Sequence, residues 1–270
     1  MIKLFFAISA VLLVFNNAYA QQIPPRPLEA CLTEAPWGFP NAALPTGQPI
    51  CRMAYALLHD NRAKIPLWTV YTLTPEKAMG CGKRSDAFSP DQSLPRGERA
   101  ELGDYRASGY DTGHMVNSAD MLWSITAERE SFILSNMSPQ LPNVNRGPWK
   151  TLETGIRGWT QQTGDTYTIY SGNIYDASTA KTIGRSAVVV PTGLWKVVVS
   201  HRSGEAWAFL FPNQPNISTD LKSFQVTVAE LEAAIGYEIP MPGNKNTKPL
   251  LLPVRSVSEA RQAACTLPQR

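Results

Sequence analysis

Residues 104–157 carry the runs DYRASGYDTGHMVNSADM (104–121), SFILSNMSPQ (131–140) and NVNRGPWKTLETGIR (143–157). Their patterning predicts short strand-like pieces around Gly113 to Val116 and Ser131 to Leu134, then a helix from about Pro148 to Trp159. Proline is tolerated in a first helical turn, so Asn145 is expected at or just before the helix start. Trp149, Leu152, Ile156 and Trp159 recur at helical spacing and form one apolar stripe that would face a sheet. Glu153 and Arg157 lie four apart on its flank, where an ordinary surface pair contributes a few tenths of a kcal/mol.

Upstream of this block, Arg52 to His59 and Pro66 to Leu73 flank the turn-like Asp60 to Lys64 and resemble two paired strands, with His59 expected as a surface residue near the turn. Gly80 to Gly103 mixes Gly, Pro, Ser and charged residues without periodicity, the composition of a long loop, and loops of that length tend to be functional. Downstream, strands are expected at Tyr167 to Tyr170, Ala187 to Pro191, Trp195 to Val199, Ala206 to Phe211 and Phe224 to Val228, then a helix over Ala229 to Ile235 capped near Thr227. Strands in runs with helices interspersed predict an α+β fold, a mainly antiparallel central sheet flanked by helices.

Residues 1–20 combine Lys3, an apolar run from Leu4 to Phe15 and the small-x-small ending Ala18-Tyr19-Ala20. These are the features of a secretory signal peptide, which places the protein in the periplasm or the medium with no membrane association after cleavage. Removal of this leader takes Lys3 and no acid, lowering the net charge from +3 to +2. Such a balance neither demands nor excludes a polyanionic partner. Residues 21–50, rich in proline, are expected to form an irregular arm on the surface, and residues 51–270 the remaining domain. Cys31, Cys51, Cys81 and Cys265 are even in number in an exported chain, which favours two disulfides. Four cysteines allow three pairings; Cys31 with Cys51 and Cys81 with Cys265 is the expected set, because the first would tie down the proline-rich entry segment.

Asp111-Thr112-Gly113-His114 resembles the Asp-Arg-Gly-His signature of the DNA/RNA non-specific endonucleases, the ββα-metal nucleases that include secreted bacterial nucleases and endonuclease G. Ser135 to Gln140 and Asn145 to Glu153 are similar to that family's next two signatures, in the right order and spacing. The likeness continues through Met53 to Leu73, Val190 to Val199 and Ala206 to Pro242. It implies a ββα-metal active site, DNA and RNA as substrates, and magnesium as cofactor, with manganese or another divalent cation as alternatives. Oligomeric state is left open, a homodimer included.

Among individual residues, the resemblance makes His114 the general base, and imidazole chemistry agrees, since its ordinary pKa lies near neutrality. A main-chain carbonyl near Phe132 is the expected partner of its other ring nitrogen. Asn145 is implied as the only direct protein ligand of the metal, the competing reading being a helix N-cap. Glu153 would order metal-bound water and Arg157 would neutralise phosphate. Arg84 would contact the scissile phosphate, although a solvated loop arginine reads equally well from its surroundings. Asp111, Thr112 and Gly113 complete the signature, Gly113 leaving room for substrate to approach. Asn136 and Gln140 match supporting positions or brace a loop. Thr112 stands where the family has arginine, which removes a bidentate phosphate donor. The expected function is therefore an exported, metal-dependent endonuclease with little base preference, and the alternative a catalytically weakened nucleic-acid-binding protein on the same fold. A Ser/His hydrolase is disfavoured by the lack of a GxSxG elbow.

Overall fold

Successive residues of the run Val197 to Val199 enter different cores, because side chains alternate across a strand. Val198 packs with Tyr71, Tyr167, Phe209 and the apolar residues of the helix after Pro148, whereas Val197 and Val199 pack with Trp68, Tyr170 and Leu231. A sheet buried on both faces follows. The computed structural model describes residues 24–176, 178–254, 261 and 265; the expected signal peptide lies outside them.

The strands are β1 (Gly47–Cys51), β2 (Ala56–Asp60), β3 (Ile65–Leu73), β4 (Asp111–His114), β5 (Met137–Gln140) and β6 (Tyr167–Ile174). They continue with β7 (Thr182–Ile183), β8 (Val188–Val189), β9 (Gly193–Ser200), β10 (Ala206–Pro212) and β11 (Gln225–Val226). The α-helices are α1 (Pro75–Ala78), α2 (Leu102–Tyr105), α3 (Ile125–Ser131), α4 (Pro142–Val144), α5 (Lys150–Thr163) and α6 (Val228–Ile235). Seven strands form one sheet in the order β1-β2-β3-β6-β9-β10-β11, and each neighbouring pair is antiparallel. The fold is α+β.

α5 lies on one face of this sheet. Its Leu152, Ile156 and Trp159, with Trp149 just before it, are at most 1 % exposed, and burying side chains of this kind stabilises by about 1.5–3 kcal/mol each before entropy is counted. Gly164, in the left-handed region at φ 62°, ends the helix. The other face is covered by α6, which a Thr227–Glu230 capping box starts, and by the N-terminal segment.

That segment departs from the expected arm. Cys31 and Ala35 are fully buried, Trp37 and Phe39 pack on the sheet, and residues 47–51 pair with β2 as the edge strand. Its apolar anchors follow no period, so periodicity missed them. Cys31 is bonded to Cys51 at the end of the segment's strand, and Cys81 to Cys265, the latter joining the C-terminal region to the long loop after α1. Arg261 reinforces that junction by donating from Nε to the Gly80 carbonyl.

Two further expectations are corrected. Ser131 ends α3 and Leu134–Asn136 form a 3-10 turn; the strand lies at Met137–Gln140, where Pro139 had masked it. His59 is completely buried, with Nε2 against the Glu98 carbonyl at 3.0 Å, because the long loop covers it.

Candidate active site

β4 and β5 form a separate two-stranded ribbon in which Asp111 lies opposite Gln140 and His114 opposite Met137. The chain then makes a wide turn over Asn145–Trp149, with Gly147 outside helical geometry at φ −99° and ψ −118°, before α5 begins. This strand–strand–helix unit puts Thr112 and His114 from β4, Asn145 from the turn, and Glu153 and Arg157 from α5 around one pocket, with Arg84 of the long loop on its rim.

Helix and ribbon are tied together at the end that lines the pocket. Trp149 donates from Nε1 to the His114 carbonyl at 3.2 Å, and the ammonium of Lys196 sits 4.2 Å from the Trp149 ring centroid. That buried lysine also donates to Ser171 Oγ at 2.7 Å and to the Met115 carbonyl at 3.4 Å. It therefore braces the strand end that carries His114.

The His114 ring stands at 84° to Phe132, with centroids 4.8 Å apart, and also touches Phe88. Its Nε2 is buried without a hydrogen-bond partner. The carbonyl expected near Phe132 is replaced by the Phe132 ring itself. With Nε2 closed off, Nδ1 is the ring nitrogen left to meet solvent. Burial, helped by the nearby positive charge of Arg84, pushes the imidazole down to about 3, so it is neutral across the physiological range.

Asn145 is not a cap: no side-chain cap bond is made at the start of α5, whose N-cap is Trp149. Its Nδ2 donates to Asp111 Oδ2 at 2.9 Å, and its Oδ1 accepts no hydrogen bond among the described residues. Glu153 is buried with Oε1 unpartnered, and burial pushes its carboxyl up to about 7 against the opposing pull of Lys196. The expected Glu153–Arg157 surface pair does not form. Arg157 instead donates to Asp120 at 2.7 Å, and Asp120 accepts from the Tyr71 hydroxyl on its other oxygen. Arg84 donates to Asp86 and to Ser118 Oγ, both at 2.6 Å, with its guanidinium 4.8 Å from the Phe132 ring.

Three supporting candidates stand behind the pocket. Asn136 is fully buried and bridges both backbone groups of Val116, which holds the chain two residues past His114. Gln140 is buried, and a Cβ on Gly113 would come within 2.3 Å of its side chain. Gly113 thus makes room for Gln140, not for substrate.

Sequence reasoning missed Asn117, Ser118, Arg146 and Lys150, which also line the pocket. For two of them a signal existed. Arg146, Lys150, Glu153 and Arg157 recur at helical spacing and form a polar stripe beside the apolar one.

Residues 40–245 match a family described as DNA/RNA non-specific endonuclease. The chain is 33 % identical to mitochondrial endonuclease G of Bos taurus over 216 residues, covering 75 % of this chain and 71 % of that protein. It is 37 % identical to mitochondrial nuclease 1 of Schizosaccharomyces pombe, covering 68 % and 63 % respectively, and 32 % identical to a nuclease of Nostoc sp., covering 74 % and 78 %. A crystal structure of an EndoG/EndoGI complex superposes with a TM-score of 0.71 at 29 % identity, over 81 % of this chain and 95 % of that one.

Proposed function

Because this chain belongs to the DNA/RNA non-specific endonuclease family, we propose that it hydrolyses phosphodiester bonds of both DNA and RNA, with His114 as base and a divalent cation on Asn145. The observation that carries this reading is the convergence on one pocket of a neutral imidazole, an amide oxygen that accepts no hydrogen bond among the described residues, and a buried carboxyl group.

The donor set fits a hard, largely hydrated ion such as magnesium, or manganese in its place. Among the described residues no group of three or more His, Cys, Asp or Glu could cage a metal. Asn145 Oδ1 offers one neutral oxygen, and Glu153 Oε1 is an acceptor for water in the cation's shell. A cation bound there supplies positive charge to the phosphate and the departing oxygen.

The remaining work falls to side chains. Nδ1 of His114 accepts a proton from the attacking water. The anionic phosphate, arriving beside the imidazole, raises its proton affinity from the low value of the free site. Arg84 and Arg157 face the pocket as donors to phosphate oxygens, with Asp120 fixing the second. All these groups address the phosphate and none reads a base, which supports weak sequence preference. The two disulfides support export to an oxidising compartment, the periplasm or the medium. No helix among the described residues is long and apolar enough to cross a membrane.

Release of acid-soluble nucleotides from duplex DNA and from RNA, with magnesium and with EDTA, tests the proposal. Release from both that EDTA stops is expected. A protein that binds nucleic acid but releases nothing at any metal concentration is a binding protein instead.

A further inference from the structure

Arg146 is 71 % exposed in its side chain, yet its guanidinium is held in one orientation. Nε and Nη2 donate to Oδ2 and Oδ1 of Asp111 at 2.8 and 2.6 Å, a bidentate pair. Asp111 is itself only 15 % exposed and is fixed from the other side by Asn145 Nδ2. Two of the five N–H groups are used in this way. The two on Nη1 and one on Nη2 remain, and Arg146 lines the pocket beside Thr112, which brings no charge.

The other two guanidiniums lining the pocket are held by different partners and keep N–H groups of their own for phosphate. Arg157 is 12 % exposed and bound to Asp120, and Arg84 is spanned between Asp86 and Ser118. We propose that Arg146 is a further catalytic residue, a phosphate clamp on the Thr112 side of the pocket, positioned by Asp111. This role rests on the nuclease reading. A planar fork anchored along one edge presents its other edge to phosphate oxygens with little ordering cost, which a flexible lysine does not match. Loss of the guanidinium would also leave the Asp111 carboxylate facing the incoming anion.

The test compares wild type, Arg146→Gln, Arg146→Lys and the double variant Thr112→Arg/Arg146→Gln. Turnover is measured on duplex DNA with magnesium, and binding of the same duplex in EDTA across a salt series. Arg146→Gln should lose about tenfold or more in kcat, and its plot of log affinity against log salt should flatten by about one unit. Arg146→Lys should keep the salt slope and lose rate, and the double variant should regain part of that rate. Thermal melts confirm that each variant is folded. Should Arg146→Gln fail to fold, the lysine variant decides: full wild-type turnover in it overturns the positioned clamp. Arg146→Gln with wild-type turnover and an unchanged salt slope overturns the proposal outright. Wild-type protein without turnover would sink the nuclease reading instead, while the binding series in EDTA would still judge the phosphate contact.

Discussion

The Nδ2 of Asn145, a residue that lines the pocket, donates to Oδ2 of Asp111 at 2.9 Å, and this bond fixes the plane of the amide with Oδ1 on the side away from that carboxylate. The first signature on β4 thereby orients the amide of the turn before α5 that is proposed to hold the cation. Asp111→Ala should free the amide to rotate and weaken magnesium binding by about ten- to a hundredfold, the usual cost of losing a partner that orients a ligand. Isothermal calorimetry measures this. Unchanged affinity would mean that the turn alone orients Asn145.

Asn145→Ala should abolish measurable magnesium binding while the melting curve stays close to that of wild type, since the amide caps no helix. A cap would show the reverse pattern, about 1 kcal/mol of lost stability with the metal titration intact. Calorimetry and denaturant melts on one preparation separate the two.

Glu153 should make metal binding depend on pH. Burial raises its carboxyl to about 7 in the metal-free protein, so the group is protonated below that value and ionised above it. Magnesium affinity should therefore rise with pH up to about 7 and level off beyond, because binding of the cation must displace the proton. Glu153→Gln should be weaker at pH 8 and flat across the range. His114 does not contribute to this step, being neutral down to about pH 3. A wild-type profile flat from pH 5 to 8 would place the ionised carboxylate away from the cation.

Much of the site was legible because β4, the turn and α5 are close in sequence, so the spacing of His114, Asn145, Glu153 and Arg157 already implies their meeting. What escaped depends on contacts between distant segments. Lys196, in the middle of an apolar strand, reads as an anomaly until Trp149 and Ser171 appear around it. Asp120 gains meaning only as the anchor of Arg157, and Gly113 only against Gln140. The strand at Met137–Gln140 was displaced in the reading by a more apolar neighbour, Phe132 to Leu134, which is buried as a turn. The arm's burial depends on a sheet face that joins Leu58 and Trp68, close in sequence, to Tyr170 and Val197, more than a hundred positions downstream.

The disulfides should differ in weight. Chain entropy assigns about 3 kcal/mol to the 20-residue separation of Cys31–Cys51 and about 5 kcal/mol to the 184-residue separation of Cys81–Cys265. Denaturant unfolding of the paired serine variants, C31S/C51S and C81S/C265S, should show the larger loss in the second. The opposite order would indicate that packing of the N-terminal segment on the sheet outweighs loop closure.

The central claim is that His114 takes the proton from the attacking water, and turnover of His114→Ala tests it most directly. The variant should bind magnesium and duplex DNA as wild type does, since Asn145, Arg84 and Arg157 are untouched. Its kcat on DNA and on RNA at neutral pH should fall by about 10² to 10⁴, the loss associated with a general base. Turnover within a few fold of wild type, in a folded and metal-loaded His114→Ala protein, would contradict the account.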